Sequence, residues 1–176
     1  MSKIKHSWQY RDEWAEYYWH PIFTAIKWIQ HGLWYEDIIV LLLHDTIEDS
    51  DLTFEEIEMQ FSRYVAEKVL FLSKKQNGKI IVSIEDYHTN LFNDPKSAVL
   101  KWFDRLANVF SLNFASPKRQ ESYIKDTKAS IIPMIQKYDQ NLAAEIQEVI
   151  DHIENPLYEL PEELRLRLDD MEVNKI

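Results

Sequence analysis

The sequence predicts an all-α protein, and three observations carry that prediction. Apolar residues recur at helical spacing in nearly every segment. Helix-start signals stand ahead of those segments: Thr53 with Glu56, Ser83 with Asp86, Asp94-Pro95 and Ser116-Pro117. Strand-like content is confined to Ile80-Ile81-Val82, which is short and isolated.

Residues 1–13 are polar without a clear period and read as a mobile N-terminus. From 14 to 31, Trp14, Tyr17, Tyr18, Ile22, Phe23, Ile26 and Ile29 are helically spaced. Pro21 suits only the first turn, so the helix is expected to start at His20-Pro21 and to end at Gly32. A second helix is expected over about 35–49. Thr53 and Glu56 form a capping box for a third, with Leu52 and Ile57 as its staple, running to about Phe61. A fourth covers about 64–74. Gln76-Asn77-Gly78-Lys79 reads as a loop. A helix follows over about 84–92, and Asp94 with Pro95 opens the next. That helix, 96–112, is apolar over most of its surface and is expected to be central. Ser116-Pro117 starts a long helix to about Tyr138, and Asn141–Ile153 forms another. Pro161 opens a short charged helix, and residues 172–176 are expected to fray. No repeat, low-complexity segment or interdomain linker interrupts the 176 residues, which read as one domain.

Composition narrows the function. The chain is 45% hydrophobic and 28% charged, as soluble globular proteins are. With two Gly there is no Gly-rich phosphate loop, and with no Cys there are no disulfides, thiolate metal sites or Cys nucleophiles. The net charge of −10 argues against nucleic acid as a main partner. No apolar stretch reaches transmembrane length and the N-terminus lacks an apolar signal region, so a cytoplasmic protein with no membrane partner is expected.

The second helix carries the densest chemistry. Ile38-Ile39-Val40-Leu41-Leu42-Leu43 runs into His44-Asp45-Thr46-Ile47-Glu48-Asp49. On a helix His44, Asp45, Glu48 and Asp49 fall within an arc of roughly 140°. An imidazole and carboxylates at the end of a buried helix are costly unless something offsets them. A divalent cation does so, and His and carboxylate ligate zinc, manganese or iron. A solvated helix end is the alternative explanation of the pattern. Lys101, Asp104, Asn108 and Ser111, spaced three, four and three apart, form one polar stripe on the central helix. Solvent or a metal pocket fits that stripe. His20, at a helix N-terminus, is biased by the dipole towards a neutral, ligating ring, though a structural role is also compatible.

Taken in order, His20, His44-Asp45 and Asp104 resemble the H…HD…D signature of the HD-domain metal-dependent phosphohydrolases. The resemblance is closest to the hydrolase domain of the RelA/SpoT alarmone enzymes and the small alarmone hydrolases. His20-Pro21-Ile22 is similar to that branch's HPI element, 24 residues before the second His. Leu42–Asp49 resembles LLHDxxED, and Lys101–Asn108 resembles KLADRLHN. Leu52–Ile57, Phe61, Val65-Ala66-Glu67 and Ser73-Lys74 continue the match. Upstream, His6, Gln9 and Arg11 match HxGQxR, and Tyr17 matches the tyrosine before HPI. The resemblance covers about residues 6–135. The chain departs from it at Trp14-Ala15-Glu16, Ala107 and Phe110.

The resemblance implies a metal-dependent phosphohydrolase. Its metal ligands are His20, His44, Asp45 and Asp104, holding one divalent ion, manganese first and zinc or iron as alternatives. Glu48 and Asp49 are its catalytic pair. Arg11, Lys101, Asn108 and Ser111 are its substrate contacts, Arg11 on the base and Asn108 and Ser111 on the ribose side. The implied reaction is conversion of ppGpp to GDP and pyrophosphate. Hydrolysis of dNTPs, nucleoside monophosphates or NADPH remains as an alternative, as does a non-catalytic, antitoxin-like relative. The oligomeric state stays open, a homo-oligomer included.

Overall fold

The structure is a computed structural model and describes residues 19–30, 34–112 and 115–155. Arg11, with the rest of the HxGQxR match, and the helix expected from Pro161 lie outside the described residues. The class is all-α: among the described residues every regular element is a helix apart from one two-stranded hairpin. No helix among them is long and apolar enough to cross a membrane. The chain forms two compact units, residues 1–104 and 105–176, divided inside one helix just after Asp104.

The first unit begins with α1 (Trp19–Gln30) and α2 (Tyr35–Leu43), which pack together. A short α3 (Thr46–Asp49) follows, then α4 (Phe54–Gln60) and α5 (Arg63–Leu72). The expected capping box is present: the Glu56 N–H donates to Thr53 Oγ1 at 3.2 Å, and the Thr53 N–H donates to Glu56 Oε2 at 2.9 Å. Leu52 and Ile57 are both buried. Then come β1 (Lys75–Gln76), β2 (Lys79–Ile80), α6 (Ile84–Asn93) and α7 (Pro95–Phe110). Val40, Leu41, Ile57, Val65, Val69, Leu91 and Trp102 are buried in this unit's core.

Two local expectations are corrected here. The helix expected over 35–49 stops at Leu43, turns at His44-Asp45, and restarts at Thr46. The cause lies in two side chains. His44 Nδ1 donates to the Leu41 carbonyl at 2.7 Å, and Thr46 Oγ1 donates to the Leu43 carbonyl at 2.6 Å. Both engage carbonyls that a continuous helix keeps for backbone N–H groups. The expected loop at 76–79 is instead a tight hairpin, pairing Lys75 with Ile80 and Gln76 with Lys79. Asn77 and Gly78 take φ of 51° and 73°, the left-handed pair that a two-residue hairpin turn needs.

Buried Asp37 ties three helices of this unit. Tyr64 Oη donates to its Oδ1 at 2.7 Å and Lys96 Nζ to its Oδ2 at 2.6 Å. Asp94 caps α7: the N–H groups of Lys96 and Ser97 each donate to its Oδ1 at 3.1 Å. Lys68 Nζ donates to Asp94 Oδ2 at 2.6 Å. Burial works against the Asp94 carboxylate, but Lys68 and the Ser97 N–H outweigh it and hold its pKa below the usual 3.8. A carboxyl depressed in the folded state adds stability above its unfolded pKa and loses it as pH falls through the folded value. Asp94→Ala should therefore cost about 1 kcal/mol near neutral pH, mostly as a lost cap, since the ion pair is partly screened by solvent. In urea unfolding the difference from wild type should shrink between about pH 5 and about pH 2. A constant difference across that range would contradict the assignment.

The second unit contains the C-terminal end of α7, α8 (Pro117–Asp126), a π-helical segment Thr127–Ile131, α9 (Ile132–Gln136) and α10 (Gln140–Glu154). The single helix expected over 116–138 is thus interrupted by a π-helical segment. Pro133, just beyond it, has no N–H to give to the carbonyl four residues back, and a wider turn accommodates that missing bond. Arg105 anchors this stretch, with Nη2 at 2.8 Å from Asp126 Oδ2 and Nη1 donating to Thr127 Oγ1 at 3.2 Å. Ile131, Ile135, Ile146 and Ile150 form the core here. Ala107 and Phe110, two of the departures from the family pattern, are each 3% exposed and belong to buried surface.

Candidate metal centre

His20 sits on the first turn of α1, His44 and Asp45 at the break between α2 and α3, and Asp104 three turns into α7. Sequence separations of 60 and 84 residues collapse to side-chain contact. His20 Nε2 lies 2.9 Å from Asp104 Oδ1, and His44 Nε2 lies 3.2 Å from the same oxygen. His44 Nε2 is also 3.0 Å from Asp45 Oδ2, and His20 Nε2 is 4.0 Å from it. One ligand atom from each of the four residues lies within 4.8 Å of all the others. His20, His44 and Asp104 are buried, and Asp45 is part-buried.

The helix break serves this geometry. The Leu41 carbonyl can only accept, so His44 Nδ1 carries a proton there. That fixes the tautomer and turns Nε2 towards the carboxylates, the arrangement that ligating histidines use. Charge is arranged to match. Burial alone would push the His44 imidazole down, but Asp45 and Asp104 beside it override burial and lift it to about 10. Burial likewise pushes both carboxyls up, while His44 holds Asp45 low and Lys101 with His44 holds Asp104 well below the usual carboxylate range. Two carboxylates in a buried pocket thus draw positive charge to themselves.

The residues fit a divalent cation. Ligand bonds of about 2.1 Å place neighbouring donors about 3.0–3.4 Å apart around one ion. The contacts of 2.9, 3.0 and 3.2 Å fall in or beside that range, and nitrogen with carboxylate oxygen suits a borderline or hard transition metal.

The remaining expected site residues are placed as follows. Lys101 Nζ donates to Asp104 Oδ2 at 2.6 Å, with the side chain 11% exposed, so it holds the outer oxygen of a candidate ligand. Glu48 lies on α3, one turn beyond His44, with its side chain 17% exposed. Its Oε1 accepts the Lys74 backbone N–H, and Lys74 Nζ is 3.4 Å away. Asp49, at the end of α3, is exposed. Asn108 and Ser111 belong to the second unit, where Ser111 Oγ donates to the Asn108 carbonyl at 3.0 Å. Arg11 lies outside the described residues. Sequence reasoning gave Lys74 and Tyr87 no role, yet Tyr87 is 2% exposed and its ring faces Lys74 Nζ at 5.0 Å and Lys101 Nζ at 5.9 Å. Only the Ser73-Lys74 match pointed to that spot.

Fold and centre together describe an all-helical protein whose clustered His20, His44-Asp45 and Asp104 resemble the signature of the HD-type phosphohydrolases. Comparison with known proteins narrows the resemblance to one branch. The guanosine-3′,5′-bis(diphosphate) 3′-pyrophosphohydrolase of Aquifex aeolicus (strain VF5) is 35% identical over 140 residues, covering 76% of this chain and 20% of that protein. The bifunctional (p)ppGpp synthase/hydrolase SpoT of Escherichia coli (strain K12) is 27% identical over 167 residues, covering 91% of this chain and 22% of that protein. The chain thus spans about a fifth of the length of these curated relatives. No protein-family model matches it. A solved structure, described as a metazoan ortholog of SpoT that hydrolyses ppGpp and plays a role in starvation responses, shares the fold. Its TM-score is 0.71 at 19% identity, over 86% of this chain and 90% of that one. The chain resembles the RelA/SpoT hydrolases in sequence and has the fold of a SpoT-like hydrolase.

Proposed function

We propose that this chain is a cytoplasmic, manganese-dependent hydrolase that removes the 3′-pyrophosphate of ppGpp, giving GDP and pyrophosphate. The observation that carries the reading is the buried convergence of His20, His44, Asp45 and Asp104, with Glu48 one turn further on. The names of the relatives supply the substrate. In this reading residues 1–176 work as one hydrolase domain.

His20, His44, Asp45 and Asp104 would hold the ion. Bound there, a divalent ion supplies Lewis-acid polarisation of a phosphoryl oxygen and lowers the pKa of water. The chain's own residues do the rest. Glu48, helped by Asp49, takes a proton from the attacking water. The water oxygen bonds to the phosphorus on ribose O3′, and the P–O3′ bond breaks. The proton passes to O3′, so the products are a free 3′-hydroxyl and pyrophosphate. Lys101 keeps Asp104 aligned and sets a positive charge beside the phosphates. Asn108 and Ser111 contact the ribose side, and Arg11 stacks on the base, where a planar cation suits a purine.

The test is a nucleotide panel with added manganese: ppGpp, the dNTPs, nucleoside monophosphates and NADPH, with products identified by chromatography. Turnover of ppGpp to GDP is expected. Turnover of the other nucleotides alone would reassign the chain to a different nucleotide phosphohydrolase. No turnover of any of them, with manganese bound, would make it a non-catalytic relative.

A further inference from the structure

Lys74 grips one oxygen of Glu48 from two directions. Its backbone N–H donates to Glu48 Oε1, and its Nζ stands 3.4 Å from that same atom. The grip is itself held. The Lys74 carbonyl accepts the Ile81 N–H at 3.0 Å, which closes the base of the hairpin. The Lys74 ammonium sits 5.0 Å from the centroid of the Tyr87 ring, within cation–π range. Tyr87 is fixed in turn, since its hydroxyl donates to the Leu72 carbonyl at 3.0 Å. The Lys74 side chain is 33% exposed and that of Glu48 17%. This is no freely solvated ion pair: a main-chain donor, a buried ring and a hairpin anchor act on it together.

We infer that Lys74 is a positioning residue for Glu48. Both of its donors converge on Oε1, which leaves Oε2 as the oxygen that exchanges a proton with the attacking water. A carboxylate on α3, a helix of one turn, is otherwise loosely oriented, and misplacement by about 1 Å is costly to a general base. The hairpin and Tyr87 are therefore parts of the proton-transfer apparatus, although neither touches the reacting atoms. The inference rests on the assignment of Glu48 in the proposed function.

The experiment uses the full chain loaded with manganese and whichever nucleotide of the panel it turns over. Lys74→Met removes the charge and keeps the backbone N–H. It should lower kcat about 10–100-fold, with KM changed less than about threefold and metal content unchanged. Lys74→Arg should recover most of that loss. In a Glu48→Gln background, Lys74→Met should cost less than about threefold, because the residue acts through Glu48. A raised KM at unchanged kcat, or an equal loss in both backgrounds, would overturn the inference. The amide proton of Lys74 gives a readout that needs no turnover. Donation to a carboxylate moves its resonance downfield, so Glu48→Gln should bring it upfield. An immobile resonance sinks the Lys74–Glu48 link whatever the activity. A moving resonance in a chain that turns over no nucleotide keeps the link and sinks the proposed function.

Discussion

Glu48→Gln will keep its metal and its nucleotide affinity and lose about 10²–10⁴-fold in turnover. The substitution is nearly isosteric. It preserves an oxygen that can accept from the Lys74 N–H, so the local structure has no reason to move. What disappears is a carboxylate able to take a proton from water and return it to the leaving oxygen. Glu48 is not among the four clustered ligand donors, so elemental analysis should find the same metal content as in wild type. Steady-state kinetics should show the loss in kcat with little change in KM. An unchanged kcat would mean that Glu48 merely pairs with Lys74.

Asp104→Ala will lose the metal and much of the stability. Asp104 Oδ1 faces both His20 and His44 Nε2, and Oδ2 accepts from Lys101. Alanine removes the acceptor these three groups share and takes the carboxylate away from the Lys101 ammonium, whose side chain is only 11% exposed. Removing one partner of a buried ionic group costs about 3–5 kcal/mol. Metal affinity falls as well, because ligands left without their shared carboxylate no longer form a preorganised set. Elemental analysis of chelator-free protein should find about one transition metal per wild-type chain, as the four-ligand set implies, and little in the variant. Urea unfolding should report the stability loss. Full metal occupancy in Asp104→Ala would remove Asp104 from the ligand set.

Much of this was legible in the sequence where the determinants are local. Capping residues are read from neighbours three positions away, so Thr53–Glu56, Ser83–Asp86 and Asp94-Pro95 marked their helices correctly. The four candidate ligands were legible as an ordered motif, and the fold brings them together. The break at His44-Asp45 was not legible, because it follows from side-chain bonds to the Leu41 and Leu43 carbonyls in a run whose pattern is still helical. Asn77-Gly78 is a strong turn signal, but strands of two residues carry no alternation to flank it. Pro133 announced a disturbance in the long helix without saying that a π-helical segment would absorb it. Lys101 was read as a substrate contact because Lys101–Asn108 resembles the KLADRLHN element. Its bond to Asp104 Oδ2 is a choice of rotamer, which sequence spacing does not specify. Lys74 and Tyr87 meet Glu48 and Lys101 only through tertiary packing.

The most direct test of the central claim is the position of the cut. Phosphorus NMR of ppGpp incubated with the manganese-loaded chain should show the 3′-diphosphate signals disappear and free pyrophosphate appear. The 5′-diphosphate signals should persist as GDP. Release of 5′ phosphate with the 3′-diphosphate intact would contradict the account.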